Sequence, residues 1–257
     1  MHQAITPAVA ATAAEPLPRR SDAGTVRVSG RDIDGLILCG EMHGAPYDLL
    51  AAGLNVQPDR LRAIVARWRA AGYAETGQLG PGPAWCWLTC PGLAALGLRF
   101  APGRPSPGRL AHLRAVLAAR LALESSPAGL AGQPWWRSER RIRAAAGGQA
   151  GCGHIPDAEA CWAEIPGSPY PGERWAIEAE LAPQPLARTA AVMAGLLYRR
   201  TGYNPGAKPH DRPRYDRAVY LVSPPARGVV TRAAATLPPR LQARITIRDL
   251  PPEALPW

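Results

Sequence analysis

The sequence has a single lysine, Lys208, among 30 basic residues and a single phenylalanine among 257 residues. No run approaches the roughly 20 apolar residues that a membrane-spanning helix needs. The Ala-rich residues 1–14 lack the basic start and the apolar stretch of a signal peptide. There is also no GxxxxGK[ST] phosphate loop, which argues against an ATPase motor. We therefore expect a cytoplasmic protein with no membrane partner.

Several kinds of catalytic or metal site are missing as well. The five histidines form no close pair, and no GxSxG nucleophile motif occurs. Five cysteines, an odd number, are typical of reduced thiols in the cytosol. None of them forms a CxxC pair, so zinc is a weak alternative, carried by Cys86 with Cys90 or by Cys152 with His154 and Cys161.

The positive charge is concentrated in one part of the chain. The formal net charge is +10, which favours a polyanionic partner such as duplex DNA. Residues 1–100 hold nine basic and eight acidic residues and are nearly neutral. Residues 104–143 hold eight arginines against Glu124 and Glu139, a net of +6. A single lysine indicates the codon bias of a GC-rich genome, so this local cluster is more informative than the total.

Residues 31–100 show the order helix, helix, helix, hairpin. Residues 1–30 have no periodicity, and we expect them to form a mobile tail. Helices are predicted over residues 33–38, 47–52 and 58–71, followed by strands over 73–79 and 85–89. A Gly-Pro-Gly-Pro turn joins the two strands. This order predicts a double-stranded-DNA-binding winged helix-turn-helix domain.

The third predicted helix has the features of a DNA-recognition helix. Its apolar residues follow the spacing i, i+3, i+4, i+7, and its opposite face carries small residues. A strip of small residues lets a helix enter the major groove, where arginines at its margins reach phosphates or guanine edges. The alternative is an ordinary surface helix. The arginines at its margins are Arg60, Arg62, Arg67 and Arg69.

The rest of the chain predicts a layered α/β domain. Residues 101–134 form a linker with a connecting helix over residues 108–125, and residues 135–257 then follow the order α-β-β-α-β-α-β. The fold class is therefore α+β or α/β. The first helix of this domain, residues 135–146, carries a second arginine cluster that we expect to hold DNA phosphates. This cluster contains Arg137, Arg140 and Arg141.

Two glutamates share one face of a predicted strand. In residues 174–181 the apolar residues alternate with Glu178 and Glu180, which lie about 7 Å apart because of the strand rise. Side by side they repel each other, and a divalent cation would relieve that repulsion. Asp157 in the neighbouring strand supplies a third carboxylate, which predicts a Mg²⁺ site able to activate water against a phosphodiester. The alternative is that both glutamates face solvent or pair with arginines.

The spacing of these acids resembles the PD-(D/E)xK nuclease pattern. Pro156-Asp157 is followed after about 20 residues by Glu178-Ala-Glu180, and a helix with Glu139 precedes it. The resemblance implies a restriction-endonuclease-like domain over residues 135–257. It assigns catalysis to Asp157, Glu178, Glu180 and Glu139, with the metal on the first three. In that superfamily the position of Glu180 is usually lysine.

The chain as a whole resembles the replication-relaxation family of actinobacterial plasmids over residues 31–223. The resemblance implies a role in a plasmid replication or transfer complex, with Mg²⁺-dependent nicking or cleavage of DNA. No lysine closely follows the Glu-x-Glu-Leu segment, so a non-catalytic regulator with a homodimerising C-terminal half stays open, as does an adaptor of a transfer complex. The matching segments are Trp85-Cys-Trp-Leu-Thr89 with Gly92-Leu93, Leu110-Ala-His112-Leu-Arg-Ala-Val116, Trp136-Arg-Ser-Glu139-Arg, Ile155-Pro-Asp157 and Ala176-Ile-Glu178-Ala-Glu180-Leu181.

Overall fold

The computed structural model describes residues 29–146, 154–198 and 215–254, which form an α+β structure with two sheets. The predicted tail lies almost wholly outside these ranges. In the described ranges no helix has the length and apolar character needed to cross a membrane. The N-terminal elements are α1 (Gly30–Glu41), β1 (Ala45–Pro46), α2 (Tyr47–Gly53), α3 (Pro58–Ala70), β2 (Ala74–Gly77), β3 (Trp85–Leu88) and α4 (Cys90–Ala95).

Helices α1 to α4 and a three-stranded antiparallel sheet in the order β1-β3-β2 make up the N-terminal half. Helix α1 begins at a capping box in which the Ser29 hydroxyl accepts from the Asp32 N–H and the Asp32 carboxylate accepts from the Ser29 N–H. Helix α3 begins with Pro58 in its first turn, where the missing N–H costs nothing. The predicted helix over 58–71 and its apolar stripe are confirmed, because α3 buries Leu61, Ile64, Val65 and Trp68.

A long helix precedes the second sheet. The elements are α5 (Leu110–Ser125), α6 (Pro127–Gly132), β4 (Trp135–Ser138), α7 (Glu139–Ala145), β5 (Ala158–Cys161), β6 (Arg174–Glu180), α8 (Leu186–Leu197), β7 (Arg217–Val222), α9 (Pro224–Ala235), α10 (Pro239–Gln242) and β8 (Ile245–Asp249). The sheet order is β4-β5-β6-β7-β8; β4, β5 and β6 are antiparallel, and β6, β7 and β8 are parallel. One face of this sheet packs with α5, and α8 and α9 cover the other.

The prediction of one helix over residues 135–146 is wrong. The chain forms β4 first and turns into α7 only at Glu139. Burial alternates along β4, with Trp135 exposed and Trp136 buried, which is the period of a strand. The Ser138 hydroxyl then accepts from the Arg141 N–H and starts the helix. The C-terminal half therefore begins with a strand.

The predicted boundary over residues 101–134 does not interrupt the apolar core. Helix α5 was expected to connect two domains, but Ala115, Val116 and Leu117 are buried in a core shared by both halves. Arg114 on α5 also binds Asp48 on α2 through two hydrogen bonds, of 3.0 and 2.7 Å. The two halves are thus joined through a helix common to both.

Candidate functional site

A cleft of about 330 Å³ lies at the carboxyl ends of the parallel strands β6 and β7. The segment before β5 enters it from one side, because Asp157 Oδ2 accepts a 2.9 Å hydrogen bond from the Ala179 N–H of β6. The N-terminal turns of α5 and α8 complete its walls. The polar side chains that line it are His112, His154, Asp157, Glu178, Glu180, Gln184, Arg188, Thr189 and Tyr220.

The structure brings three of the four predicted catalytic acids into this cleft. Asp157, Glu178 and Glu180 all line it. Glu139 lies outside it, on α7, where its carboxylate pairs with Arg109 at 3.1 Å and Arg143 at 2.6 Å. It lines a neighbouring pocket together with His112 and Asp157, so the catalytic role of Glu139 stays a prediction.

Two of the acids are paired with histidines. His112 Nε2 lies 2.9 Å from Asp157 Oδ1, and this hydrogen bond raises the pKa of His112. His154 Nε2 lies 2.6 Å from Glu178 Oε1. Burial raises the pKa of Glu178 to about 7, with the charges of Asp157 and Glu180 adding to the shift and His154 opposing it. Burial likewise raises the pKa of Glu180. The cleft thus holds one carboxyl, that of Glu178, with a pKa near neutral, where a group can both take and give a proton.

Tyr220 is a cleft residue that sequence reasoning missed. It lies opposite Glu178 in the parallel register of β6 and β7 and is 1% exposed. Its hydroxyl is buried and has no hydrogen-bond partner among the described residues. Burial raises its pKa far above the usual value, and the charges of Glu178, Glu180 and Asp157 raise it further, so the hydroxyl stays protonated. The alternation of β7 was visible in the sequence, but its register against β6 was not.

The acids of the cleft do not form a magnesium ligand set in this arrangement. Over residues 29–146, 154–198 and 215–254, no three His, Cys, Asp or Glu side chains are grouped so as to hold a metal ion. Both oxygens of Asp157 and one of Glu178 already have hydrogen-bond partners. The weak zinc alternative finds no support here either, and Cys152 lies outside the described residues. Magnesium stays a prediction from the sequence.

The outward face of α3 is open to solvent, as its spacing predicts. The small residues Ala63, Ala66 and Ala70 are exposed. Arg60 and Arg69 are exposed beside them, and within the described ranges neither has an ion pair. Two further arginines have intrahelical or interhelical partners. These are Arg62, which pairs with Asp59 on the surface, and Arg67, whose Nη2 lies 3.0 Å from Asp32 Oδ1.

The second arginine cluster points into the protein, in contrast to its predicted role on DNA. Arg137 binds Glu159, and Arg141 binds Glu41, both of which are buried carboxylates. Arg140 donates to the carbonyls of Gly40 and Ala101, and its guanidinium lies 4.6 Å from the Phe100 ring centroid. All three arginines are half-buried; Arg140 and Arg141 contact the N-terminal half, whereas Arg137 binds within the second sheet. The predicted DNA contacts of Arg137, Arg140 and Arg141 stay predictions, and each of these side chains has an internal partner.

A fully paired carboxylate lies toward the opposite end of the same sheet. Glu159 on β5 is 1% exposed and was not singled out in the sequence. Its oxygens accept from Arg174 Nη2 at 2.7 Å and from the Tyr215 hydroxyl at 2.6 Å, besides Arg137. A buried charge needs such partners, so this cluster stabilises the fold.

Comparisons with known proteins found no match. No family model, no curated protein and no solved structure matches the chain. The resemblance to the replication-relaxation family therefore stays a prediction.

Proposed function

We propose that the protein binds duplex DNA through the exposed face of α3, with residues 31–100 acting as a winged helix-turn-helix domain. The proposal is supported by one observation above all: a strip of exposed alanines flanked by Arg60 and Arg69, whose guanidinium groups have no carboxylate partner in the part of the chain described. Three helices followed by a small antiparallel sheet suit this role.

The chemistry of such a face is that of groove binding. Alanines offer little bulk, so the helix axis can approach the floor of the major groove. Unpaired arginines at the margins can neutralise phosphates and release their counterions. Arg67 has a different task, because its bond to the buried Asp32 ties α3 to α1.

The test is the salt dependence of DNA binding. For the double variant Arg60→Ala/Arg69→Ala we expect the slope of log K against log salt to become shallower by about 2, since each phosphate contact contributes about 0.9. The matched control is Arg232→Ala/Arg240→Ala, which removes two exposed arginines far along the chain. Equal slopes for wild type and the α3 variant would disprove the assignment.

We further propose that the cleft hydrolyses a phosphodiester of the bound DNA by acid–base chemistry. The observation that favours it is the meeting of two carboxyl–histidine pairs with Arg188 in one cavity. Glu178 takes a proton from water as the water oxygen bonds to phosphorus. His112, whose pKa is raised by its hydrogen bond to Asp157, gives a proton to the oxygen that leaves as the P–O bond breaks. Arg188 meets the phosphate charge.

A plasmid-cleavage assay tests the second proposal. We expect the wild type to nick supercoiled DNA, and Glu178→Gln to lose the activity while it keeps DNA affinity. The control Glu253→Gln changes an exposed carboxyl outside the cleft. Reactions with and without Mg²⁺ also test the predicted metal. If the wild type cuts under neither condition, the non-catalytic regulator is the better description. Homodimerisation and a plasmid replication or transfer complex stay predictions.

A further inference from the structure

A second cavity, of about 450 Å³, lies on the opposite face of the sheet from α8. It shares no lining residue with the cleft. Strands β6 and β7 form an apolar floor, and α5 forms an apolar wall with small side chains. The residues of the floor are Ile177, Val219 and Leu221, and those of the wall are Ala119, Ala122 and Leu123. A slot between two apolar walls suits the apolar body of a small molecule.

One end of the slot is aromatic. The rings of Tyr170 and Trp175 pack with centroids 4.5 Å apart, and the Arg217 guanidinium lies 5.5 Å from the Tyr170 centroid. Trp136 lines the same cavity and is 3% exposed. Its buried indole N–H has no acceptor among the residues that the structure describes.

The other end of the slot carries an available positive charge. Arg248 lies opposite Leu221 in the β7–β8 register and is exposed. The structure records no ion pair for it within the described ranges. The remaining charges are already paired, Arg217 with Glu173 at 2.8 Å and Asp249 with Arg227. The electrostatic complement of this cavity is therefore an anion.

We propose that the slot binds a small amphipathic organic anion, with its apolar body between α5 and the sheet and its acidic group at Arg248. The apolar floor disfavours a ligand that is polar throughout, because its polar groups would lose their hydrogen bonds to water without gaining others. The arginine disfavours a purely apolar one. This proposal is independent of DNA binding and of the chemistry in the cleft.

The experiment is a fluorescence titration of the full chain with the aromatic sulfonate 8-anilinonaphthalene-1-sulfonate. We expect Arg248→Gln to weaken binding at least fivefold and Thr246→Phe, which fills the slot, to abolish it. The controls Arg232→Gln and Thr231→Phe alter exposed residues of α9 and should bind as the wild type does. Circular dichroism confirms folding, and Arg248→Gln remains decisive if Thr246→Phe does not fold.

Competition defines the class of ligand. Dodecanoate, a carboxylate on an apolar chain, should displace the dye, and adenosine monophosphate, with its polar ribose, should not. Unchanged dye affinity in Arg248→Gln, or displacement by the nucleotide alone, would overturn the proposal.

Discussion

Glu159 and Glu178 are buried carboxylates on neighbouring strands of one sheet, yet their surroundings differ. Glu159 is bound by Arg137, Arg174 and the Tyr215 hydroxyl. Glu178 is bound by His154, faces two further acids, and lies beside a tyrosine hydroxyl that has no hydrogen-bond partner among the described residues. A buried carboxylate with all its partners suits a structural role. A buried carboxylate that lacks partners lowers the stability of the fold, and such groups are typical of sites that bind a ligand or transfer a proton.

The largest effect is expected at the fully paired end. Glu159→Gln leaves Arg137 and Arg174 close together without their carboxylate, and we expect the free energy of unfolding to fall by about 3 kcal/mol. Urea denaturation measures this loss. Glu164→Gln, at an exposed position on the same stretch of chain, is the control and should change stability by less than about 0.5 kcal/mol.

The second prediction is a pH-dependent change in stability, and here the substitution stabilises the protein instead of destabilising it. Because the pKa of Glu178 is raised to about 7, the native state binds more protons than the unfolded chain between about pH 4.5 and 7. Stability is therefore lost as pH rises through this window. The free energy of unfolding of Glu178→Gln, relative to that of the wild type, should rise by about 2 kcal/mol from pH 5 to pH 8. Urea melts at both pH values test this, and a constant difference between the two proteins would contradict it.

Two tyrosines of the sheet provide a matched pair. Tyr215→Phe removes a donor to the charged Glu159 and should cost about 2 kcal/mol. Tyr220→Phe removes a hydroxyl that has no partner within the described ranges, and it should leave stability unchanged or raise it by up to about 1 kcal/mol. Thermal melts of both variants give the comparison. A loss in Tyr220→Phe equal to that in Tyr215→Phe would mean that the cleft pairs this hydroxyl.

The smallest effect extends the comparison to α3. Arg67→Ala breaks the bond to buried Asp32 and should cost about 1 kcal/mol, whereas Arg69→Ala should change stability by less than about 0.5 kcal/mol. For DNA affinity we expect the reverse: Arg69→Ala should weaken binding more than Arg67→Ala does. Chemical denaturation and DNA titration on the same two proteins separate the anchoring arginine from the exposed one.

Local patterns in the sequence predicted part of this structure well. The 3.6-residue spacing of α3 depends on neighbouring residues and is confirmed. The strand predicted over residues 174–181 is also present as β6, but residues on both of its faces are buried. Side-chain contacts between residues that are distant in the sequence were not predictable. Arg137, Arg140 and Arg141 look like the arginines of α3 in sequence, but acids and carbonyls of other elements reach them. The pairing of His112 with Asp157 and the position of Tyr220 likewise depend on how α5 and β7 pack.

Helix α5 lies in the core of both halves, so α3 and the cleft are connected by a rigid element. A flexible tether would let the cleft sample many places along the DNA. A shared helix instead holds it at one separation and one angle from α3. Under the two proposals above, a cut in the DNA strand should then fall a constant number of base pairs from the groove that α3 occupies.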